Sequence, residues 1–175
     1  VGTRKKIRIE RSRPSNPHLN GYLVALSPGW GVLHAFDDFE PDGYTLFRVE
    51  DVISVRSGPY ERHWDRMLAA EGLLGALDRQ VAFDLTDVGS VIRSLDSNFG
   101  RMIIECEDAD SELEDFYIGA VARVGPSSVW FDHFDALGAW AEQPAEIALD
   151  EITLLQVETP YLLRFWRYIE ARPTH

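Results

Sequence analysis

The chain repeats itself, and this constrains its fold more than any single motif. One stretch reads GYLVALSPGWGVLHAFDDFEPDG, and a later one reads GAVARVGPSSVWFDHFDALG. At a constant offset of 98, Gly21 falls on Gly119, Leu23 on Val121, Leu26 on Val124, Phe36 on Phe134 and Asp37 on Asp135. Further on, EDVISVRSGPYERHWDRM lies against DEITLLQVETPYLLRFWRYI at an offset of 100, pairing Val52 with Ile152 and Val55 with Leu155. One more inserted residue brings Pro59-Tyr60 onto Pro160-Tyr161 and Trp64 onto Phe165. A whole supersecondary unit has been duplicated, so the two halves are expected to share an architecture.

Within each copy, short alternating apolar runs are separated by turn chemistry such as SPG and EPDG, which predicts β-strands. The first copy gives strands at 21–26, 31–36, 44–49 and 52–56. The second gives 117–124, 129–134, 146–149 and 152–157. Pro59 and Pro160 stand where a helix would begin, with Thr159 as a cap for the second. Leu162, Phe165, Trp166 and Ile169 then recur at helical spacing, as do Tyr60, Trp64, Met67 and Leu68. Between the copies, Val88, Val91, Ile92 and Leu95 predict a further helix, with Thr86 as its cap. Arg101–Glu107 alternates as a strand, as does the N-terminal run, where Ile7 and Ile9 alternate with Lys6, Arg8 and Glu10. That basic run reads as an edge strand with its charges in water, and less readily as a nucleic-acid arm.

The expected class is therefore α+β and mostly β, in two tandem five-stranded units with flanking helices. The first unit covers residues 1–75 and the second 76–175, joined around residues 73–86. The pattern resembles the Sm-like small β-barrel. The resemblance rests on Gly21 and Gly119 at the start of the second strand's apolar run, and on Asp37 and Asp135 in the turn after the third strand. It rests also on the paired short strands around an acidic turn in FRVEDVISV and IALDEITLL. It extends over most of the chain as two small barrels in tandem, and the layout is similar to an uncharacterised bacterial family. That resemblance implies a fold and no activity. RNA-binding Sm-like rings carry an asparagine near the end of the third strand. The asparagines here are Asn16, Asn20 and Asn98, none of them at that place, so the RNA pocket is not implied.

Charge and composition narrow the function classes. The net charge is −12, and residues 1–75 are balanced at ten basic and ten acidic side chains. Residues 76–175 carry seven basic and nineteen acidic ones, so the whole excess belongs to the second half. Such a surface suits a basic protein partner better than a phosphate backbone. The acidic cluster Glu105, Glu107, Asp108, Asp110, Glu112, Glu114 and Asp115 reads as a solvated hairpin loop. It lacks the central glycine of an EF-hand calcium loop. The single cysteine, Cys106, excludes an internal disulfide and reads as a buried strand residue. No apolar run has the length of a membrane span and none follows the N-terminal basic cluster, so a cytoplasmic protein is expected.

No catalytic signature stands out. GxSxG, HExxH and the GxxxxGK[ST] phosphate loop are all missing. The His/carboxylate groups His34, Asp37, Asp38 and Asp132, His133, Asp135 invite a metal reading. The histidines of the two copies do not align, however, and turn or partner-facing roles fit better. His63 has no carboxylate three or four residues away on its helix. The expectation is a non-enzymatic interaction module without cofactor or metal. It would contact a protein partner through the loop residues Trp30, Asp37, Asp38, Asp135 and Trp140, and self-association is possible for such a chain. RNA binding is the alternative, supported by the basic N-terminal strand and the turn tryptophan and opposed by net charge.

Overall fold

A computed structural model describes residues 5–78, 81–108 and 114–169. It contains ten strands: β1 (Lys6–Arg11), β2 (His18–Leu26), β3 (Trp30–Asp37), β4 (Glu40–Arg48), β5 (Val52–Arg56), β6 (Met102–Glu107), β7 (Glu114–Val124), β8 (Ser128–His133), β9 (Ala145–Ala148) and β10 (Leu154–Val157). The helices are α1 (Pro59–Ala70), α2 (Val88–Phe99) and α3 (Pro160–Trp166). The protein is thus mostly β with three helices, as the class reading requires. Thr159 caps α3, its hydroxyl accepting the Leu162 N–H. The cap of α2 is Asp87, one residue beyond the expected Thr86, because its carboxylate reaches the Ser90 N–H at 2.8 Å while Thr86 turns back to Asp84.

All ten strands form one antiparallel sheet in the order β5-β1-β2-β3-β4-β10-β6-β7-β8-β9. Among the described residues neither set of five closes into a separate barrel. The expectation of two self-contained barrels is corrected by the β4–β10 ladder, which joins the halves. It pairs Phe47 with Leu154, Leu46 with Leu155, Thr45 with Gln156 and Tyr44 with Val157.

The duplication holds at the level of register. Ile7 faces Gly21 in the first half, and Met102 faces Gly119 in the second. The β2–β3 ladder has a bulge between Leu23 and Ala25, and the β7–β8 ladder has one between Val121 and Arg123, the same place at an offset of 98. Ile9 meets Val55 as Ile104 meets Leu155. Gly31 meets Phe47 as Val129 meets Ile147. The paired glycines have one local cause. A side-chain carbon on Gly21 would lie 2.2 Å from the His34 carbonyl oxygen, and one on Gly119 would lie 1.9 Å from that of Asp132.

The core crosses the junction. Trp30, Val32, Tyr44 and Leu46 pack with Val91, Ile92 and Leu95 of α2 and with Ile104, Phe131 and Leu155 of the second half. In the other direction Leu154 enters the first-half cluster of Ile9, Leu33 and Phe47. Burying one such side chain contributes roughly 1.5–3 kcal/mol, so these exchanges bind the two halves firmly.

Two sequence readings are overturned by burial. β1 is not an edge strand, since it lies between β5 and β2. Its Arg11 is only 2 % exposed and makes a bidentate contact with Glu107, at 2.6 and 3.3 Å. Glu105 and Glu107 are likewise not solvated loop residues. They are buried in β6, where Glu105 accepts from Asn16 at 2.7 Å and from Gln156 at 2.5 Å, and Glu107 accepts from Thr153 at 2.7 Å. Arg13 closes the network through Asp51 at 2.8 Å. Buried charges require such partners, because an unpaired charge in the interior is expensive. Asp110 and Glu112 of the expected acidic loop, and Arg4 of the basic run, lie outside the described residues.

Two stability outcomes follow. Gly43 sits at a positive φ of 68°, where a side-chain carbon would fall 2.2 Å from the Val157 carbonyl oxygen. Gly43→Ala should therefore lower stability by roughly 1–3 kcal/mol in denaturant unfolding, while Gly29→Ala, with open space around it, should not. Arg11→Met should cost roughly 3–5 kcal/mol by stranding Glu107. Arg11→Met with Glu107→Leu should lose clearly less than the two single changes added together, as a double-mutant cycle would read.

Candidate functional site

The first half carries a cleft of about 430 Å³ between α1 and the ends of β1 and β3. Its floor begins with the β3–β4 hairpin, where Asp37 pairs with Glu40 and only Asp38 and Phe39 make the turn. Such tight turns need left-handed backbone, and Asp38 supplies it at φ 49° because a short polar side chain tolerates that region. Helix α1 packs onto the turn. The Trp64 indole N–H donates to the Asp38 carbonyl at 3.1 Å, and the Trp64 ring stacks on Phe39 with centroids 5.0 Å apart.

The start of α1 is held by charge. The Glu61 carboxylate accepts the Gly58 N–H at 2.7 Å and pairs with the Arg56 guanidinium at 2.7 Å. Burial alone would raise the Glu61 carboxyl pKa, but the hydrogen bonds from Arg56 and Gly58 outweigh it and hold the group below its ordinary range. The Arg56 guanidinium also lies 5.7 Å from the Tyr60 ring centroid.

Lys6 enters the cleft from β1. Its ammonium lies 5.2 Å from the Trp64 ring centroid. Desolvation lowers the Lys6 pKa, and Glu61, Asp65 and Asp38 partly restore it. Behind it the Tyr22 hydroxyl donates to Asp65, and burial together with that bond raises the phenol pKa. The mouth of the cleft exposes Asp37, Asp38, His63 and Tyr60, with Arg8 half-buried beside them. Tyr60 is 74 % exposed, an unusually open position for a large aromatic ring.

Of the five expected contact residues, only Asp37 and Asp38 are brought together here. Trp30 is 2 % exposed and belongs to the core, with Arg48 over its ring at 4.8 Å, so it does not stand out as a loop anchor. Trp140 is half-buried against Phe134 and Trp166, at centroid distances of 5.2 and 6.0 Å. Asp135 fastens a longer turn, its carboxylate accepting the N–H groups of Leu137 at 2.9 Å and Ala139 at 3.0 Å. The two copies thus diverge at this turn, and the corresponding place in the second half holds a smaller hollow of about 230 Å³ lined by Leu137, Phe165, Tyr168 and Ile169. Lys6, Arg8, Tyr60 and Trp64 were missed as site residues. The apolar stripe of α1 reads as core in the sequence, and the fact that Tyr60 lies at its outer margin is visible only in three dimensions.

His34 is buried among aromatic rings, 4.9 Å from Tyr44 and 5.4 Å from Phe36 by centroid. His133 packs edge-on against Tyr117 at 5.6 Å. Among the described residues no group of three or more His, Cys, Asp or Glu side chains is placed to hold a metal ion. Desolvation and the surrounding carboxylates push the Cys106 thiol up to about 12, which suits a strand residue and not a nucleophile. No helix among the described residues is long and apolar enough to cross a membrane. No protein-family model matches this chain, and neither the curated proteins nor the solved structures contain a match.

Asp42, one turn along β4, offers a pH test. Burial, with a smaller contribution from Asp37, pushes its carboxyl up to about 6. The folded chain therefore holds a proton between about pH 4 and 6 that the unfolded chain has released. Stability from this group is greatest below that window and falls as pH rises through it. Asp42→Asn should stabilise the chain above pH 6 by about 1–2 kcal/mol, discounted for partial exposure, and should flatten this part of the profile in denaturant unfolding.

Proposed function

We propose that this chain is a non-enzymatic protein-interaction module, built from two Sm-like five-strand units in tandem, that holds its partner in the cleft beside α1. The observation that carries the reading is the combination of an exposed Tyr60 with charges of both signs in one preformed concavity. Aromatic rings on a rigid frame are efficient binding anchors, because little freedom is lost when they are covered. Lys6, Arg8 and Arg56 together with Asp37, Asp38 and Glu61 line the cleft with both signs of charge, which favours a polypeptide segment with mixed charge around an apolar side chain. The same carboxylates would repel a nucleic-acid backbone. The Sm-like description is supported by the strand order β5-β1-β2-β3-β4, repeated as β10-β6-β7-β8-β9.

The test is capture from a lysate of the source organism on immobilised protein, with and without nuclease, read by mass spectrometry. A protein partner should be recovered in both conditions. Its recovery should fall at least tenfold on Tyr60→Ser combined with Asp38→Asn, a change at exposed positions that leaves the fold intact. Recovery that vanishes with nuclease would replace this reading by RNA binding, and unchanged recovery by the variant would move the contact away from the cleft.

A further inference from the structure

The cleft beside α1 collects hydrogen-bond donors from three strands. Lys6 and Arg8 stand two residues apart on β1, so their side chains leave the same face of the sheet. Arg8 lies opposite Asn20 of β2 on one side and opposite Arg56 of β5 on the other. Residues paired across a ladder share a face, so this row sets two guanidinium groups beside one amide, and Lys6, Arg8, Asn20 and Arg56 all line the cleft. Like charges directly opposite one another repel.

The nearby carboxylates are already engaged. Glu61 pairs with Arg56 at 2.7 Å and accepts the Gly58 N–H at 2.7 Å. Asp65 accepts the Tyr22 hydroxyl and the Lys6 backbone N–H. Glu10, the next residue on this face of β1, accepts the Ser54 hydroxyl at 3.0 Å. Lys6 itself is only 4 % exposed, yet its ammonium has no ion-pair or hydrogen-bond partner among the described residues. Its close neighbour is the Trp64 ring, 5.2 Å away at the centroid. Arg8 and Asn20 are half-buried, and their side chains likewise make no hydrogen bond or ion pair among the described residues. A buried ammonium ordinarily lies against an anion, because an unpaired interior charge is costly.

We propose that Lys6, Arg8 and Asn20 bind a carboxylate of the partner polypeptide, an assignment that rests on the cleft being where the partner is held. Arg8 offers a fork of parallel N–H groups, Asn20 a neutral amide donor and Lys6 a compact positive charge. Trp64, Met67 and Phe36 line the same cleft and suit the apolar part of the bound segment. A carboxylate carries one negative charge, whereas a phosphate group on a side chain carries roughly 1.5 to 2 at neutral pH and would be held off by the exposed Asp37 and Asp38 at the mouth.

Lys5 and Lys6 are the two lysines of the sequence, so isotope labelling of lysine gives an NMR spectrum of two side chains, with the exposed Lys5 as internal control. The probes are acetyl-Leu-Glu-Leu-amide, its Gln counterpart, acetyl-Leu-Leu with a free C-terminal carboxylate, and inorganic phosphate, all at matched ionic strength. The Lys6 signal beside Nζ should shift saturably with a carboxylate peptide and not with the Gln peptide, while Lys5 stays fixed. The tighter of the two carboxylate peptides tells an acidic side chain from a chain terminus. Lys6→Met should lower partner recovery in the lysate capture at least tenfold and leave the denaturant unfolding midpoint unchanged or higher. A Lys6 signal that follows Lys5 with every probe, or tighter binding of phosphate, would overturn the assignment. A lowered midpoint would overturn it too, by making Lys6 a support for α1 through Glu61 and Asp65. If Lys6→Met captures normally while Tyr60→Ser with Asp38→Asn does not, the carboxylate site falls and the cleft stands as the contact. If neither variant changes capture, the cleft itself is not the contact.

Discussion

The ladder between β4 and β10 is the contact on which the rest of the molecule depends. It joins strands more than a hundred residues apart, and it converts two five-stranded sets into one sheet. Neither half has a complete core without it. Leu154 fills a first-half cluster, while Trp30, Val32, Tyr44 and Leu46 belong to the cluster under α2. At Gly43 the backbone of one half lies against the carbonyl of Val157 in the other. Closing so long a loop costs chain entropy, which the apolar surface buried on both sides of the junction offsets.

Beside the ladder lies a buried ionic network that crosses the same boundary. Arg11 reaches Glu107 with both side chains fully covered, Arg13 and Asp51 lie next to them, and Asn16 and Gln156 satisfy Glu105. Desolvating charges is costly, so such a network adds less stability than its short distances suggest. What it supplies is selectivity. A slip of β1 or β6 by one residue would turn these charges onto the opposite face and strand them. Hydrophobic packing tolerates small shifts that this arrangement does not.

The two copies show which features the architecture requires and which are free to vary. The paired registers, the matching bulges and the close-approach glycines are kept in both. The turn after the third strand is not. In the first half it is a two-residue hairpin capped by Trp64, and in the second it is a longer connection braced by Asp135. Packing against β2 and β4 fixes the strand, but a turn at the sheet margin meets no such demand. The cleft with Lys6, Tyr60 and Trp64 therefore differs in lining from the smaller hollow beside Leu137 and Tyr168 in the second half, as expected of sites placed on a shared frame.

The sequence by itself determined the duplication, the strands and the helix stripes. These are readable because alternation, helical spacing and turn chemistry act over a few residues. Asp37 and Asp38 were legible as turn residues for the same reason. Only the tertiary structure decided that Arg11 and Glu107, 96 residues apart, would neutralise one another in the interior. It likewise decided that Trp30 would be core, that Tyr60 would be surface, and that β1 would lie inside the sheet. A charged or aromatic side chain has no fixed preference for burial. Its place follows from which strand becomes its neighbour, and strand neighbours are chosen by contacts across the whole chain.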